Sequence, residues 1–564
     1  MKQTTVYLET FGCQMNELDS ELVTGQLRSL GYQLTQSDSE ADIVLYNTCS
    51  VREQAENKAW SRIGLVSQRK RDGEKLILGV LGCMAERDGT DLLRRHPEVD
   101  LLCGPGELDR LPMLLDNISR AQASEDVQRI ALDDRVALAG NQSRRWSVLE
   151  AAGDGLEVLD LARAFDPDPT ARAAGRSSYV RITRGCNKFC TYCVVPHTRG
   201  AEVHRPPADI IAECRQLAES GVIEVTLLGQ TVNHYRYTHG TALSVSGREL
   251  PQVGPGLKAF RNGGASAASS SRTTSFAELL HQIHEEVPQI KRLRFVTSYP
   301  RDFGDDILSV IASNERICPY LHVPAQSGSD RILKLMNRGY TVEQYTDFID
   351  RAIALVPDVS IAGDIIVGFP TETEADFEAT IDLLRRVPFK NNFIFKYSPR
   401  PGTVAIDRLP DDVPAEVKKR RNNVLLSVQA EISAEVHRRW EGREVEVLVE
   451  QVSKHSQART ARLAAPSAQK TLAVNLTANG QSISERAGAG DSRSQESDNS
   501  RKSLTDQTAR VQLAGRTAGD LITFFDCPNQ LDPAELIGTL VSVEVLKSTP
   551  LSLQGDFKGP ASGE

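Results

Sequence analysis

Three cysteines crowd into eight residues at Cys186-Asn-Lys-Phe-Cys190-Thr-Tyr-Cys193, directly after a strand-like run that ends near Ile182. Soft thiolate ligands match iron, so this spacing points to an iron–sulfur cluster. A four-iron cubane normally takes four cysteines, and this motif supplies three. The iron left open can coordinate a small molecule, as an open zinc site accepts water or substrate. Half of a structural zinc site is the alternative, with Cys214 or His197 as the fourth ligand. Zinc sites more typically pair two Cys-x2–4-Cys units, a pattern absent here.

The surroundings of that motif follow an α/β rhythm. Strand-like runs at Tyr179–Ile182, Glu224–Leu228, Leu293–Val296, Tyr320–Val323, Ile361–Val367 and Phe393–Lys396 alternate with helical stretches. Six β/α units suggest all or part of a parallel barrel, here a partial (β/α)6 barrel. The cysteine loop then lies at the C-terminal end of the first barrel strand, where such barrels build active sites. The segment Thr371-Glu-Thr-Glu374 fits a capping box at the start of the helix after the fifth strand.

Upstream, the runs Thr5–Leu8, Ile43–Tyr46 and Leu76–Leu81 alternate with helix-like Asp19–Leu30 and Glu53–Gln68. This βαβα order predicts a parallel sheet covered by helices. Downstream, a helix-like segment to Trp440 leads into strands at Glu444–Val449, Asp520–Phe525 and Leu540–Leu546, a small β-barrel pattern. The division predicted is an N-terminal domain over 1–118, a linker over 119–171, a core over 172–415 and a last domain over 420–557. A Gly/Ser-rich stretch at 238–275 reads as a flexible surface insertion. A second insertion, 453–509, has no aromatic residue and reads as disordered.

Composition removes several classes. Of 564 residues, 40% are hydrophobic and 25% charged, a globular balance. The net charge of −9 excludes a generally basic nucleic-acid coat, so any nucleic acid must meet a local basic surface. The run Lys418-Lys-Arg-Arg421, with Arg438, Arg439 and Arg443, is the candidate, though a solvated helix face explains it as well. No run of about 18 apolar residues predicts a membrane span. The N-terminus lacks a signal-peptide layout, so a cytoplasmic location is expected. Ten cysteines fall far below a disulfide scaffold.

Three more cysteines follow the ends of the N-terminal strands: Cys13, Cys49 and Cys83, 36 and 34 residues apart. One β/α unit separates each pair, and the C-terminal strand ends of a parallel sheet share one edge. They can therefore converge, although three unrelated buried thiols would look the same. Cys103, Cys214, Cys318 and Cys527 read as structural.

Taken together, the words TFGCQMNELDSE, NTCSVREQAENKAW, GCMAER, CNKFCTYCVVPHTRG, LLGQTVN and HVPAQSGSDRILKLMNRGYT resemble the radical-SAM methylthiotransferases. GCQMN is similar to the subgroup that acts on tRNA rather than on a ribosomal protein. The resemblance covers nearly the whole chain outside the insertions and the linker. It implies that Cys186, Cys190 and Cys193 hold a [4Fe–4S] cluster whose open iron binds S-adenosylmethionine (SAM). It implies a second, auxiliary [4Fe–4S] cluster on Cys13, Cys49 and Cys83, and an RNA-binding TRAM module in the last barrel. The implied reaction converts N6-isopentenyladenosine at position 37, in the tRNA anticodon loop, to its 2-methylthio derivative. One SAM gives a methyl group to sulfur and another gives a 5′-deoxyadenosyl radical. A low-potential electron donor, a monomeric state and no membrane partner complete the expectation. Departures are His197 and His204, where the family more often has Tyr and Ser, and Thr231 in place of Asn. Another tRNA adenosine such as the threonylcarbamoyl form, or a ribosomal protein, is the alternative substrate. An iron–sulfur electron carrier with an RNA-binding tail is the non-enzymatic alternative. Gly229, Gln230, Ser298, Gln326 and Asp364 lie at barrel strand ends and serve equally as SAM contacts or turn residues.

Overall fold

The computed structural model describes residues 3–123, 131–139, 159–160, 176–254, 272–457 and 510–561. The N-terminal unit is a parallel sheet of six strands. Their order is Gln33–Leu34, Thr5–Phe11, Ile43–Thr48, Ile77–Gly82, Leu101–Cys103, Val136–Ala137. Ile43–Thr48 and Ile77–Gly82 are buried at every position, as a parallel sheet covered on both faces requires. Helices Gln14–Ser29 and Leu111–Ala123 bury Leu18, Leu22, Leu114 and Ile118 on one side. Helix Glu53–Arg71 sets Ala59, Ile63 and Val66 against the other. The strand Val136–Ala137 comes from the stretch predicted to be linker, so part of 119–171 belongs to the sheet. Of the rest of that stretch, residues 124–130, 140–158 and 161–171 lie outside the described residues.

The second unit carries six parallel strands in two sets. Ser177–Arg181, Glu224–Leu228 and Arg292–Phe295 pair side by side, as do Tyr320–His322, Ser360–Val367 and Phe389–Lys396. A parallel bridge between Leu293 and Ile317 joins the sets, so the strands follow in chain order. The intervening helices pack an apolar face on the strands, with Leu280, Ile283, Phe348 and Phe377 in one continuous core. The helix after the fifth strand is capped by Thr373, not Thr371. Thr373 Oγ1 accepts the Asp376 N–H at 3.3 Å, while Thr371 sits at a left-handed φ of 67°.

The stretch predicted to be a flexible insertion is partly built into this unit. Arg236–Thr238 pairs antiparallel with Thr273–Ser275, and Gln252–Val253 pairs with Val203–His204. Tyr237 between them is fully buried. Residues 255–271 lie outside the described residues, as do 458–509 of the second insertion.

The last unit is a closed barrel of Glu444–Val452, Gln512–Thr517, Ile522–Asp526, Leu553–Pro560 and Leu540–Ser548. It packs on the strand starts of the second unit. Arg292 donates to Glu446 O and Arg516 O at 2.9 and 2.7 Å, and Lys390 Nζ pairs with Asp520 at 2.6 Å. That end is opposite the cysteine loop, which leaves the strand C-termini to the N-terminal unit.

A buried ion network fastens those two units. Asp19 accepts from Arg181 at 3.2 Å and from Arg199 at 2.7 Å. Asp160 pairs with Arg181 and, at 2.5 Å, with Arg184. Removing one partner of a buried pair leaves a charge unmet and costs about 3–5 kcal/mol. Asp19→Asn is therefore expected to lower the thermal unfolding midpoint measured by circular dichroism. An unchanged midpoint would show that the network does not hold the units together.

Candidate functional site

Strand register brings the N-terminal cysteines together. Phe11, Thr48 and Gly82 lie side by side on adjacent strands, about 4.8 Å apart. Cys49 and Cys83 are the next residues, and Cys13 follows Phe11 by two. The Cys49 N–H donates to Phe11 O at 2.9 Å. Cys13 caps the helix Gln14–Ser29. Asn16, one turn on, donates to Asn47 Oδ1 at 3.0 Å and to Thr48 O at 3.2 Å, which locks the first two cysteine loops. At Gly82, φ is 87° and a Cβ would lie 2.4 Å from Asn47 Oδ1, so only glycine lets the third loop approach.

The sulfurs affect one another. A hydrogen bond shared with Cys49 pulls the Cys13 thiol down to about 6, and the same bond together with burial pushes Cys49 up. Burial raises Cys83, opposed by the Arg199 guanidinium. The Val51 N–H points to Cys49 Sγ at 3.3 Å.

The second triad hangs from the loop after Thr183–Arg184. Phe189 adopts a left-handed φ of 50° at its turn, and Asn337 Nδ2 donates to Phe189 O at 3.0 Å. Thr191 N–H donates to Met336 O at 3.1 Å. The buried Arg338 guanidinium donates to Cys190 Sγ at 3.3 Å and lies 4.6 Å from the Tyr299 ring centroid. The Lys188 N–H reaches Cys186 Sγ at 3.5 Å. Burial pushes Cys186 up and Cys193 up to about 12. Such thiols do not ionise unaided near neutral pH; a cationic metal centre is what makes them thiolates. Three convergent sulfurs that already accept N–H and guanidinium donors fit an iron–sulfur cluster.

The two triads share one wall. Cys83 is close enough to Cys193 to raise it, and Thr198, just past the second triad, hydrogen-bonds Cys83. A cleft of about 530 Å³ opens between the two units, lined by Gly12, Ser50 and Arg52 from one and by Tyr397, Arg400 and Cys193 of the second triad from the other. Arg400 pairs with Glu56 at 2.6 Å, and Glu56 also meets Arg87 at 2.7 Å, so the rim is tied across the units.

Cys214 lies in the apolar core of the second unit and is not a fourth ligand to either triad. Cys103, Cys318 and Cys527 are also buried, and no two of the ten cysteines form a disulfide. Ser298 N–H donates to His322 O at 3.0 Å and Gln326 N–H to Asp364 O at 2.8 Å, which places these strand-end residues on one rim. The Ser298 hydroxyl is buried with no hydrogen-bond partner among the described residues. At Gly229 a Cβ would strike Thr183 Oγ1 at 2.1 Å, a packing reason for glycine there.

Residues 180–384 match the radical SAM superfamily, and residues 5–104 match a family described as uncharacterized protein family UPF0004. A tRNA-2-methylthio-N(6)-dimethylallyladenosine synthase of Rhodopirellula baltica is 43% identical over 455 residues, 80% of this chain and 84% of that protein. Its counterpart in Moorella thermoacetica is 39% identical over 452 residues, with 80% and 88% covered. One of Burkholderia mallei is 35% identical over 553 residues, with 98% and 96% covered.

The chain belongs to this synthase family. It is a radical-SAM methylthiotransferase, and family membership brings SAM and a [4Fe–4S] cluster. Arg199 and Arg338 are neighbours of the cysteines that were not singled out from sequence. Both sit inside quoted motif words, PHTRG and MNRGYT, but only tertiary packing turns them onto the cysteines. The basic run proposed for RNA is largely paired instead. Lys418 is buried on Asp411 at 2.6 Å, Arg421 on Glu372 at 2.7 Å, and Arg443 meets Asp358 at 2.7 Å. Lys419, Arg438 and Arg439 remain exposed. Exposed Arg52, Lys58 and Lys396 instead border the cleft. No helix among the described residues is long and apolar enough to cross a membrane.

Proposed function

We propose that this chain attaches a methylthio group to carbon 2 of N6-isopentenyladenosine at position 37 of tRNA. The observation that carries this reading is the gathering of Cys13, Cys49 and Cys83 at one sheet edge, next to Cys193 of the second triad, which lines the cleft between the units. Cys186, Cys190 and Cys193 hold the [4Fe–4S] cluster that binds SAM. Cys13, Cys49 and Cys83 hold a second one, beside the sulfur to be transferred. Reductive cleavage of bound SAM supplies a 5′-deoxyadenosyl radical, which takes hydrogen from an unactivated carbon.

The chain's own residues position and shield. Arg338 orients Cys190 and offsets negative charge on its sulfur. Tyr192 and Tyr397 give the cleft apolar walls that keep water from a reactive carbon centre. Arg52, Lys58 and Lys396 meet anticodon-loop phosphates, a sequence-independent contact. An anticodon-loop base is already single-stranded, so splaying it into the cleft costs less than in a duplex. The C-terminal barrel acts as a TRAM module that adds RNA contact. The enzyme works in the cytoplasm as a monomer and draws electrons from a low-potential donor.

Nucleoside mass spectrometry tests the assignment. Protein with iron and sulfide restored anaerobically, given SAM, reductant and tRNA bearing N6-isopentenyladenosine, is expected to yield the 2-methylthio nucleoside. Product only from threonylcarbamoyl-adenosine tRNA or a ribosomal protein would overturn the substrate. Redox cycling without SAM turnover would make the chain an electron carrier.

A further inference from the structure

Outside the cysteines, Glu202, His204 and His234 form a compact group of metal-ligating side chains. Glu202 and His204 flank the start of the short strand Val203–His204, and His234 closes the turn Val232–His234 after the strand Glu224–Leu228. Their side chains are 0%, 0% and 1% exposed. Glu202 Oε1 lies 2.7 Å from His204 Nε2 and 2.5 Å from His234 Nδ1.

Two features go beyond a hydrogen-bonded triad. Glu202 Oε2 is buried with no hydrogen-bond partner among the described residues, a costly state for a carboxylate oxygen. His204 Nδ1 lies 2.8 Å from Arg236 O and 3.0 Å from Arg236 N, so the Arg236 backbone orients the ring as an outer contact orients a metal-bound imidazole. A Cβ at Gly254 would lie 2.7 Å from His204 Nε2 and 3.2 Å from Glu202 Cγ, so only glycine lets this backbone pack against the group.

We propose that Glu202, His204 and His234 bind one Zn²⁺ ion that clamps the strands of residues 236–254 to the wall of the second unit. Two imidazoles and a carboxylate suit zinc, and Glu202 Oε2 is placed to serve as a further donor. Complete burial makes the site structural rather than catalytic. It also braces the cluster loop, because Asn187 Oδ1 accepts the Glu202 N–H at 3.1 Å and Glu202 O accepts the Gly254 N–H at 2.8 Å.

Zinc analysis and zinc K-edge absorption on the full chain, with its iron restored and excess metal removed by chelating resin, test this. One zinc per chain is expected, with a nitrogen and oxygen shell at about 2.0–2.1 Å and no sulfur at about 2.3 Å. Glu202→Gln keeps an oxygen that accepts from both histidines but loses the charge. It is expected to cut zinc content at least tenfold without changing iron content, and His234→Ala is expected to do the same. If His234→Ala does not fold, Glu202→Gln decides alone. Zinc-free wild-type protein, a sulfur shell, or full zinc in Glu202→Gln would each overturn the site, leaving a metal-free triad in which both imidazoles donate to Glu202.

Discussion

Cys190→Ala is expected to cut 5′-deoxyadenosine formation by at least about a thousand-fold, some 4 kcal/mol of barrier. Methylthio product should fall with it. Cys190 is the middle cysteine of the second triad and the one whose sulfur receives the Arg338 guanidinium. Alanine removes the sulfur and leaves the buried guanidinium without one of its partners, though Tyr340 and Pro324 still hold it. Cys186 and Cys193 alone cannot keep a cubane, so the iron held there should be lost while iron on the N-terminal triad stays. Chromatography of SAM products, with iron counted per chain, reads both effects. Undiminished SAM cleavage would remove this triad from the chemistry and, with it, the whole radical assignment. The fold itself should survive, because the loop is held by Asn337 and by the Thr191 N–H on Met336, not by Cys190.

Why these cysteines were legible, while their neighbours were not, follows from range. A triad within eight residues is local, and so is a cysteine directly after each of two fully buried apolar strands, Ile43–Thr48 and Ile77–Gly82. The edge strands Gln33–Leu34 and Val136–Ala137 span two residues each and leave no periodicity to read. Gln512–Thr517 is hidden by Gly515, which is required because a Cβ would lie 2.1 Å from Leu448 O on the neighbouring strand. Leu553–Pro560, with two glycines and alternating charges, reads like a loop until its partners Ile522–Asp526 and Leu540–Ser548 are in place. The helix after the fifth strand was expected to start on a Thr371–Glu374 box, but the box that forms joins Thr373 and Asp376. Arg420 and Arg421 claim Glu374, which leaves the second box to form. Arg338 and His234 were beyond reach for the same reason. Their partners Cys190 and Glu202 lie 148 and 32 residues away in sequence, and only the packed chain brings them together.

Cys13→Ala should separate the two halves of the reaction. SAM cleavage is expected to persist, because Cys186, Cys190 and Cys193 belong to a different unit and keep their loop contacts. Methylthio product is expected to fall to background, at least about a thousand-fold, because the site proposed to carry the sulfur loses one of its three cysteines. Loss of stability does not explain that outcome. Cys13 occupies the N-cap of the helix Gln14–Ser29, and alanine at an N-cap costs about 1 kcal/mol. The helix keeps its Asn16 and Asp19 anchors to the strand ends and to Arg199. Unchanged circular dichroism, iron reduced by one cluster and 5′-deoxyadenosine without thiolated tRNA would together show that the N-terminal triad acts after SAM cleavage. Normal thiolation by Cys13→Ala would mean that the convergence of Cys13, Cys49 and Cys83 at one sheet edge is packing alone. The cleft between the units would then need only the one cluster.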